Sequence, residues 1–171
     1  GKIGDDVAGS GVSDHCADRH AQDHVFTALA VAVGATTVFP ARGAVDARVT
    51  VVDQGVELGG GSVIYALTHV MSGTKIGKNC LIASQVFIGR NAIIGDGVRI
   101  HNGSHITEGM VIEEGVFIGT HVVTANDRSP SVIVVTGAGF VPNPPIIRKG
   151  AIIGAGVIIA PGIEIGEGAF V

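Results

Sequence analysis

Aliphatic residues recur every six positions along most of the chain. Stepping from Leu58 gives Ile64, Val70, Ile76, Ile82, Ile88, Ile94, Ile100, Ile106, Ile112 and Ile118 without a miss. A second column, four residues after each of these, holds Ser62, Thr68, Thr74, Cys80, Val86, Ala92, Val98, Ser104, Met110, Val116 and Val122. Nearly all are small or β-branched. Glycine often follows the aliphatic residue, as at Gly59, Gly77, Gly89, Gly95 and Gly119. An amphipathic helix needs a period of about 3.6 and a half-buried strand a period of two. A strict six satisfies neither. It predicts a triangular solenoid in which each hexad supplies one short strand and one corner, with three hexads to a coil. The fold class expected is therefore all-β, a left-handed parallel β-helix of hexapeptide repeats.

The pattern has one break. After Val123 the six-step resumes at Ile147, Ile153, Ile159 and Ile165, which lie 29 rather than 30 residues beyond Ile118. Residues 124–146 are therefore expected to leave the coil as one long loop, rich in Pro, Gly, Asn and Asp. Long ordered loops on a repeat scaffold tend to carry function. Upstream, Val52 extends the register by one step. Val45 lies seven before it, so the first coil slips by a residue or begins there. Residues 44–171 are read as the β-helix domain, and residues 1–43 stay unassigned. That segment is turn-rich, with a short helix expected around Ala21 to Val33. The chain begins at Gly1 without Met and stops at Val171, one residue into a new hexad, so a fragment with an incomplete C-terminus is expected.

Composition narrows the function classes. The 171 residues include 27 Gly but only six Phe, one Tyr and no Trp, and there is no Gly-X-Y period of the collagen kind. The formal net charge is −4, and the Lys and Arg are scattered, which is no footprint for nucleic acid. No apolar run is long enough to span a membrane. Two cysteines, Cys16 and Cys80, make no disulfide framework, so a reducing, cytoplasmic compartment is the default.

All four histidines of the repeat region, His69, His101, His105 and His121, fall on the one face whose hexads, 18 residues apart, begin at Ile64, Ile82, Ile100 and Ile118. Tyr65 and Asn102 lie in the same set. A cleft between this face and the excursion is the expected site. His69 and His105 are 36 residues apart and resemble two ligands of the γ-class carbonic anhydrases, but the expected third position holds Met110, a poor zinc ligand. His15, Cys16, His20 and His24 invite a second metal reading that no Cys pair supports. No metal is expected.

The stretch from Val63 to Pro130 resembles the hexapeptide-repeat acyltransferase superfamily. It is most similar to the nucleotide-sugar N-acetyltransferases acting on UDP-2-acetamido-3-amino-2,3-dideoxy-glucuronate or on dTDP-3-amino sugars. The resemblance is carried by Tyr65-Ala66-Leu67-Thr68-His69-Val70, by His101-Asn102-Gly103 before Thr107-Glu108-Gly109, by Gly119 to Asp127, and by Arg148-Lys149-Gly150. Tyr65-Ala66 stands where the families have Trp-His, His101 replaces a Gln, and Gly103 replaces an Asn, so the sugar stays open. The resemblance implies acetyl-CoA as co-substrate, a nucleotide sugar as acceptor, a homotrimer, and a role in cell-surface polysaccharide (lipopolysaccharide) biosynthesis. It implies Asn102 and His69 as catalytic groups, with His105 a rival base. Tyr65, His101, Glu108, His121, Asn126 and Asp127 would contact the acceptor. Arg148 and Lys149 would meet CoA phosphates, and Gly154, Ala155 and Ala160 would let pantetheine lie close to the backbone. A thioester is already activated, so direct transfer needs placement and the management of one proton. The alternatives are an O-acyltransferase acting on a sugar or serine hydroxyl, and a non-enzymatic hexapeptide scaffold.

Overall fold

A computed structural model describes residues 44–45, 50–130 and 140–171. The helix expected near Ala21 and the His15, Cys16, His20 and His24 group lie outside these residues. The described chain forms two-residue strands arranged in three parallel six-stranded sheets. The first sheet runs Ala44–Val45, Val63–Ile64, Leu81–Ile82, Arg99–Ile100, Phe117–Ile118, Ile152–Ile153. The second runs Val51–Val52, His69–Val70, Phe87–Ile88, His105–Ile106, Val123–Thr124, Ile158–Ile159. The third runs Glu57–Leu58, Lys75–Ile76, Ile93–Ile94, Val111–Ile112, Ile146–Ile147, Glu164–Ile165. Consecutive strands belong to different sheets, and each strand pairs in parallel with the one a coil away. The molecule is the left-handed parallel β-helix that the six-residue period requires.

The period works because a two-residue strand points one side chain in and one out. From Val51–Val52 onward the second residue of each strand faces the axis, and Ile64, Ile82, Ile88, Ile100, Ile106 and Ile118 are wholly buried. Each such side chain contributes about 1.5–3 kcal/mol relative to exposure. The second column, Ser62 to Val122, is buried as well. Its polar members return their hydroxyls to the backbone of the next coil: Ser62 donates to the Gly77 carbonyl at 2.7 Å, Thr68 to Ala83 at 2.8 Å and Ser104 to Gly119 at 2.8 Å. Among the described residues no buried side-chain N or O lacks a partner. The glycines after the strands have a packing reason. A Cβ on Gly59 would stand 2.4 Å from the Gly77 carbonyl, backbone against backbone.

Both irregularities of the six-step are resolved. Val45 pairs with Ile64 and Val52 with Val70, so Val45 belongs to the first described coil and keeps register with the one above it. The excursion is shorter than expected at both ends. Thr124 is still a strand residue, 2% exposed in the interior column where an Ile would stand. Its hydroxyl accepts from the Thr107 N–H at 2.9 Å and donates to the His105 carbonyl at 3.0 Å. Ile146 opens the returning strand. The chain leaves the coil at Ala125 and is drawn back by the Asn143 N–H donating to the Asn126 carbonyl at 2.8 Å.

Candidate functional site

The histidines gather around a vertex rather than on one flat face. His101 directly follows a first-sheet strand, His121 sits on the corner, and His69 and His105 open second-sheet strands. The reason is the phase of the repeat: the hexads that begin at Ile64, Ile100 and Ile118 run from the end of a first-sheet strand, round the corner, into the second sheet. Asn102 and Tyr65 lie on the same stretch of coil.

This vertex is also where the backbone is held against its preference. Among the described residues each corner outside the excursion has one residue at positive φ. At the other two vertices these residues are Gly or Asn. At the first–second vertex they are Leu67 (φ 64°), Gln85 (62°), Gly103 (70°), His121 (55°) and Gly156 (73°). Left-handed backbone costs an L-residue with a Cβ about 1–2 kcal/mol. Leu67, Gln85 and His121 are the residues other than Gly and Asn that adopt it in the described chain. The His121 ring folds over Gly103, where an added Cβ would come 2.5 Å from the imidazole. Gly103 therefore leaves room for the ring above it.

On the outer face of the second sheet, His69, Phe87 and His105 stand in successive coils. His69 stands perpendicular to Phe87 with ring centroids 5.7 Å apart, and His105, one coil on, stacks on Phe87 at 4.8 Å and 9°. Phe87 thus separates the two imidazoles. Met110 is wholly buried inside the coil, and among the described residues no three His, Cys, Asp or Glu side chains gather to hold a metal. His69 does have a partner: its Nε2 lies 3.2 Å from Asp53 Oδ1, and Asp53 Oδ2 accepts the Ser72 N–H at 3.3 Å. A carboxylate at Nε2 requires that nitrogen to donate, leaving Nδ1 as the basic atom. Asp53 was not among the residues expected from sequence. The signal was its register: it lies 16 residues before His69, two short of a full coil, just past the end of the Val51–Val52 strand that pairs with His69–Val70.

The remaining candidates fall on different vertices. Glu108, Asn126, Asp127 and Ala160 lie where the second sheet turns into the third. Asp127 caps its own turn by accepting the Ser129 N–H at 2.8 Å. Gly154 and Ala155 share the histidine-bearing vertex, one coil above His121. Arg148 and Lys149 sit at the third–first vertex, engaged by carboxylates. Arg148 donates to Glu113 and to Glu164, both at 2.7 Å, and Lys149 pairs with Glu114. Hydrogen bonds from Arg148 hold Glu113 and Glu164 below the usual carboxylate range, and those two carboxylates push the guanidinium further up. The Glu114 hydrogen bond likewise raises Lys149.

Comparison with known proteins agrees with the fold. A model described as bacterial transferase hexapeptide (six repeats) matches residues 55–90. A comparison with curated sequences gives no match. Among solved structures, WeeI from Acinetobacter baumannii AYE is similar at 26% identity and a TM-score of 0.53, over 74% of this chain and 50% of that one. A point mutant of perosamine N-acetyltransferase from Caulobacter crescentus, solved with CoA and GDP-perosamine, is similar at 20% identity and a TM-score of 0.47, over 71% and 47%. The chain spans about half the length of these proteins. In fold and repeat it is a hexapeptide β-helix like that of the bacterial hexapeptide transferases. Among the described residues no helix is long and apolar enough to cross a membrane.

Proposed function

We propose that the chain is the β-helical part of an acetyl-CoA-dependent N-acetyltransferase acting on the amino group of a nucleotide-linked amino sugar. The observation that carries this reading is the first–second vertex. Asn102, His101 and Tyr65 line one depression there, and His69, paired with Asp53, opens the second-sheet strand just past the corner. In the reaction, the amine nitrogen attacks the thioester carbonyl carbon. The C–S bond then breaks and CoA leaves as the thiolate. The amine proton passes to His69 Nδ1, or directly to the departing sulfur. Asn102 positions the acceptor amine or the carbonyl oxygen, and His105 is the weaker candidate base because its ring is stacked on Phe87. Pantetheine runs past Gly154, Ala155 and Ala160. Arg148 and Lys149 reach CoA phosphates only by exchanging them for Glu113, Glu114 and Glu164. Glu108, His121, Asn126 and Asp127 line the approach of the acceptor. A homotrimer, a cytoplasmic location and a place in cell-surface polysaccharide synthesis complete the proposal.

The pairing of His69 with Asp53 also suits a hydroxyl acceptor, which needs its proton removed as it attacks. That makes O-acetylation the second reading. A thermal-shift and turnover panel with acetyl-CoA, UDP-amino sugars, dTDP-amino sugars and unaminated sugars separates them. CoA release with an amino sugar and product gain of one acetyl group supports N-acetylation. Turnover with unaminated sugars alone supports the hydroxyl reading, and no response to any CoA species leaves a scaffold.

A further inference from the structure

The chain has five asparagines, followed in turn by Cys80, Ala92, Gly103, Asp127 and Pro144. The following residue matters because an Asn amide is open to attack by the next backbone nitrogen. A side chain on that residue hinders the approach, and proline has no N–H to lose. Asn102 alone precedes glycine. Asn79 and Asn91 also differ from it in placement. Each occupies a left-handed corner, and its amide oxygen lies over the neighbouring coil, where a Cβ on Gly61 or Gly73 would come within 2.3 and 2.2 Å of it. The nitrogen after Asn79 is committed as well, since the Cys80 N–H donates to Ser62 Oγ at 2.9 Å. Asn102 is exposed and sits just before the left-handed residue of its corner. The nitrogen beside it is loosely held. Gly103 N–H donates to the Ser84 carbonyl at 3.2 Å, whereas the same corner bond is 2.8 Å at Gly97, Gly109 and Gly156.

We infer that Asn102 is a self-modifying site. The Gly103 nitrogen attacks the Asn102 side-chain carbonyl carbon and an N–C bond forms. The nitrogen gives up its proton, and the side-chain amide leaves as ammonia. The product is a five-membered succinimide, which water then opens. Breaking the new N–C bond leaves an aspartate in the ordinary backbone. Breaking the original peptide bond leaves an isoaspartate. Nothing is oxidised or reduced: one water enters and one ammonia departs. Both products put a carboxylate where an amide stood. The isoaspartate also lengthens the backbone by one methylene, inside a corner that bonds the coils on either side. There the Gly103 N–H reaches Ser84, and the Asn102 carbonyl accepts the His121 N–H at 2.9 Å. A strict six-residue period has no slack for the extra atom. The modification stands without the transferase reading. Its effect on turnover rests on the role proposed for Asn102, because a carboxylate is acceptor-only and cannot donate to a carbonyl oxygen.

Peptide mapping by mass spectrometry tests this on the full chain held in warm, mildly alkaline buffer, beside a synthetic peptide spanning Arg99 to Thr107. The chain is expected to gain about 1 Da at Asn102, at least about ten-fold faster than at Asn79, Asn91 or Asn126, and faster as pH rises. Isoaspartate methyltransferase should label the same peptide. Gly103→Asn keeps a residue that tolerates positive φ and is expected to slow the gain at Asn102 by about ten-fold or more. If the His121 ring keeps that variant from folding, the other asparagines and the synthetic peptide remain as references. An Asn102 that stays intact while the peptide converts, or that converts no faster than Asn79 and Asn91, overturns the inference. Turnover is read in parallel. CoA release with an amino sugar is expected to fall in step with the converted fraction, and freshly made Asn102→Asp to show the same loss. Conversion with undiminished turnover overturns that loss, and the role of Asn102 with it, while the modification stands. A fresh chain without acetyl-CoA-dependent turnover overturns the transferase reading, and the mass gain still decides the modification.

Discussion

The vertex between the third and first sheets and the vertex between the first and second are built from the same hexad. They use their outward positions differently. At the third–first vertex every residue at positive φ is Gly or Asn, and the two cations that follow the excursion are matched: Arg148 by Glu113 and Glu164, Lys149 by Glu114. Each of those pairs joins one coil to the next, and the Glu113–Arg148 pair ties the coil before the excursion to the chain after it. At the first–second vertex, Leu67, Gln85 and His121 occupy left-handed corners that Gly would fill more easily, and the polar groups beside them are imidazole, phenol and amide. Backbone strain persists only where surrounding structure over-determines it, and such sites concentrate where function is. One vertex closes the solenoid. The other keeps uncommitted chemistry on its surface.

The sharpest way to break this contrast is to exchange the effects. His69→Ala and Asn102→Ala are each expected to lower kcat/KM by about 10²-fold, the size expected for a lost proton acceptor or oriented donor, with the melting temperature little changed. Full activity in both variants would sink the site assignment. Next in size is Thr124→Val. It keeps the shape of a buried interior residue but leaves the Thr107 N–H without an acceptor, at about 1–3 kcal/mol; denaturant unfolding reads this directly. Arg148→Ala is expected to lower the melting temperature while kcat/KM and the KM for acetyl-CoA stay near wild type. A large rise in that KM would instead make Arg148 a phosphate contact and blur the division between the vertices.

Acid gives a smaller test with a definite sign. Glu113 and Glu164 are depressed in the folded chain, so the stability they contribute is present above the unfolded carboxylate value of about 4.3 and is lost as pH falls through their lowered folded values. Melting temperature should drop on acidification in that window, and less so in Glu113→Gln/Glu164→Gln. The smallest effect expected is Gln85→Gly. Relief of left-handed strain should offset most of the added chain entropy, so stability changes by under about 1 kcal/mol. A clear loss would show that the Gln85 side chain does more than tolerate its corner.

The architecture was legible from residue order alone. A strict six with aliphatic residues in one column and small or β-branched residues in another has one satisfactory geometry, because each two-residue strand must alternate its side chains in and out. Cys80 illustrates the same rule: it falls in the second column, and burial in the coil pushes its thiol up, with Sγ 3.1 Å from the Gly95 carbonyl. The cluster of four histidines was legible too, since it depends on position modulo 18. Three things waited for the fold. Thr124 reads as the end of the repeat in sequence, yet its paired hydroxyl lets a polar residue continue the core. Asp53 is an ordinary polar neighbour of Val52 until the coil sets it against His69. Arg148 and Lys149 read as free cations until three glutamates from other coils close on them. Periodicity fixes which way a side chain points, because that is a local property of the strand. Which groups meet depends on coils 16 to 36 residues apart, and only the stacked solenoid brings them to bonding distance.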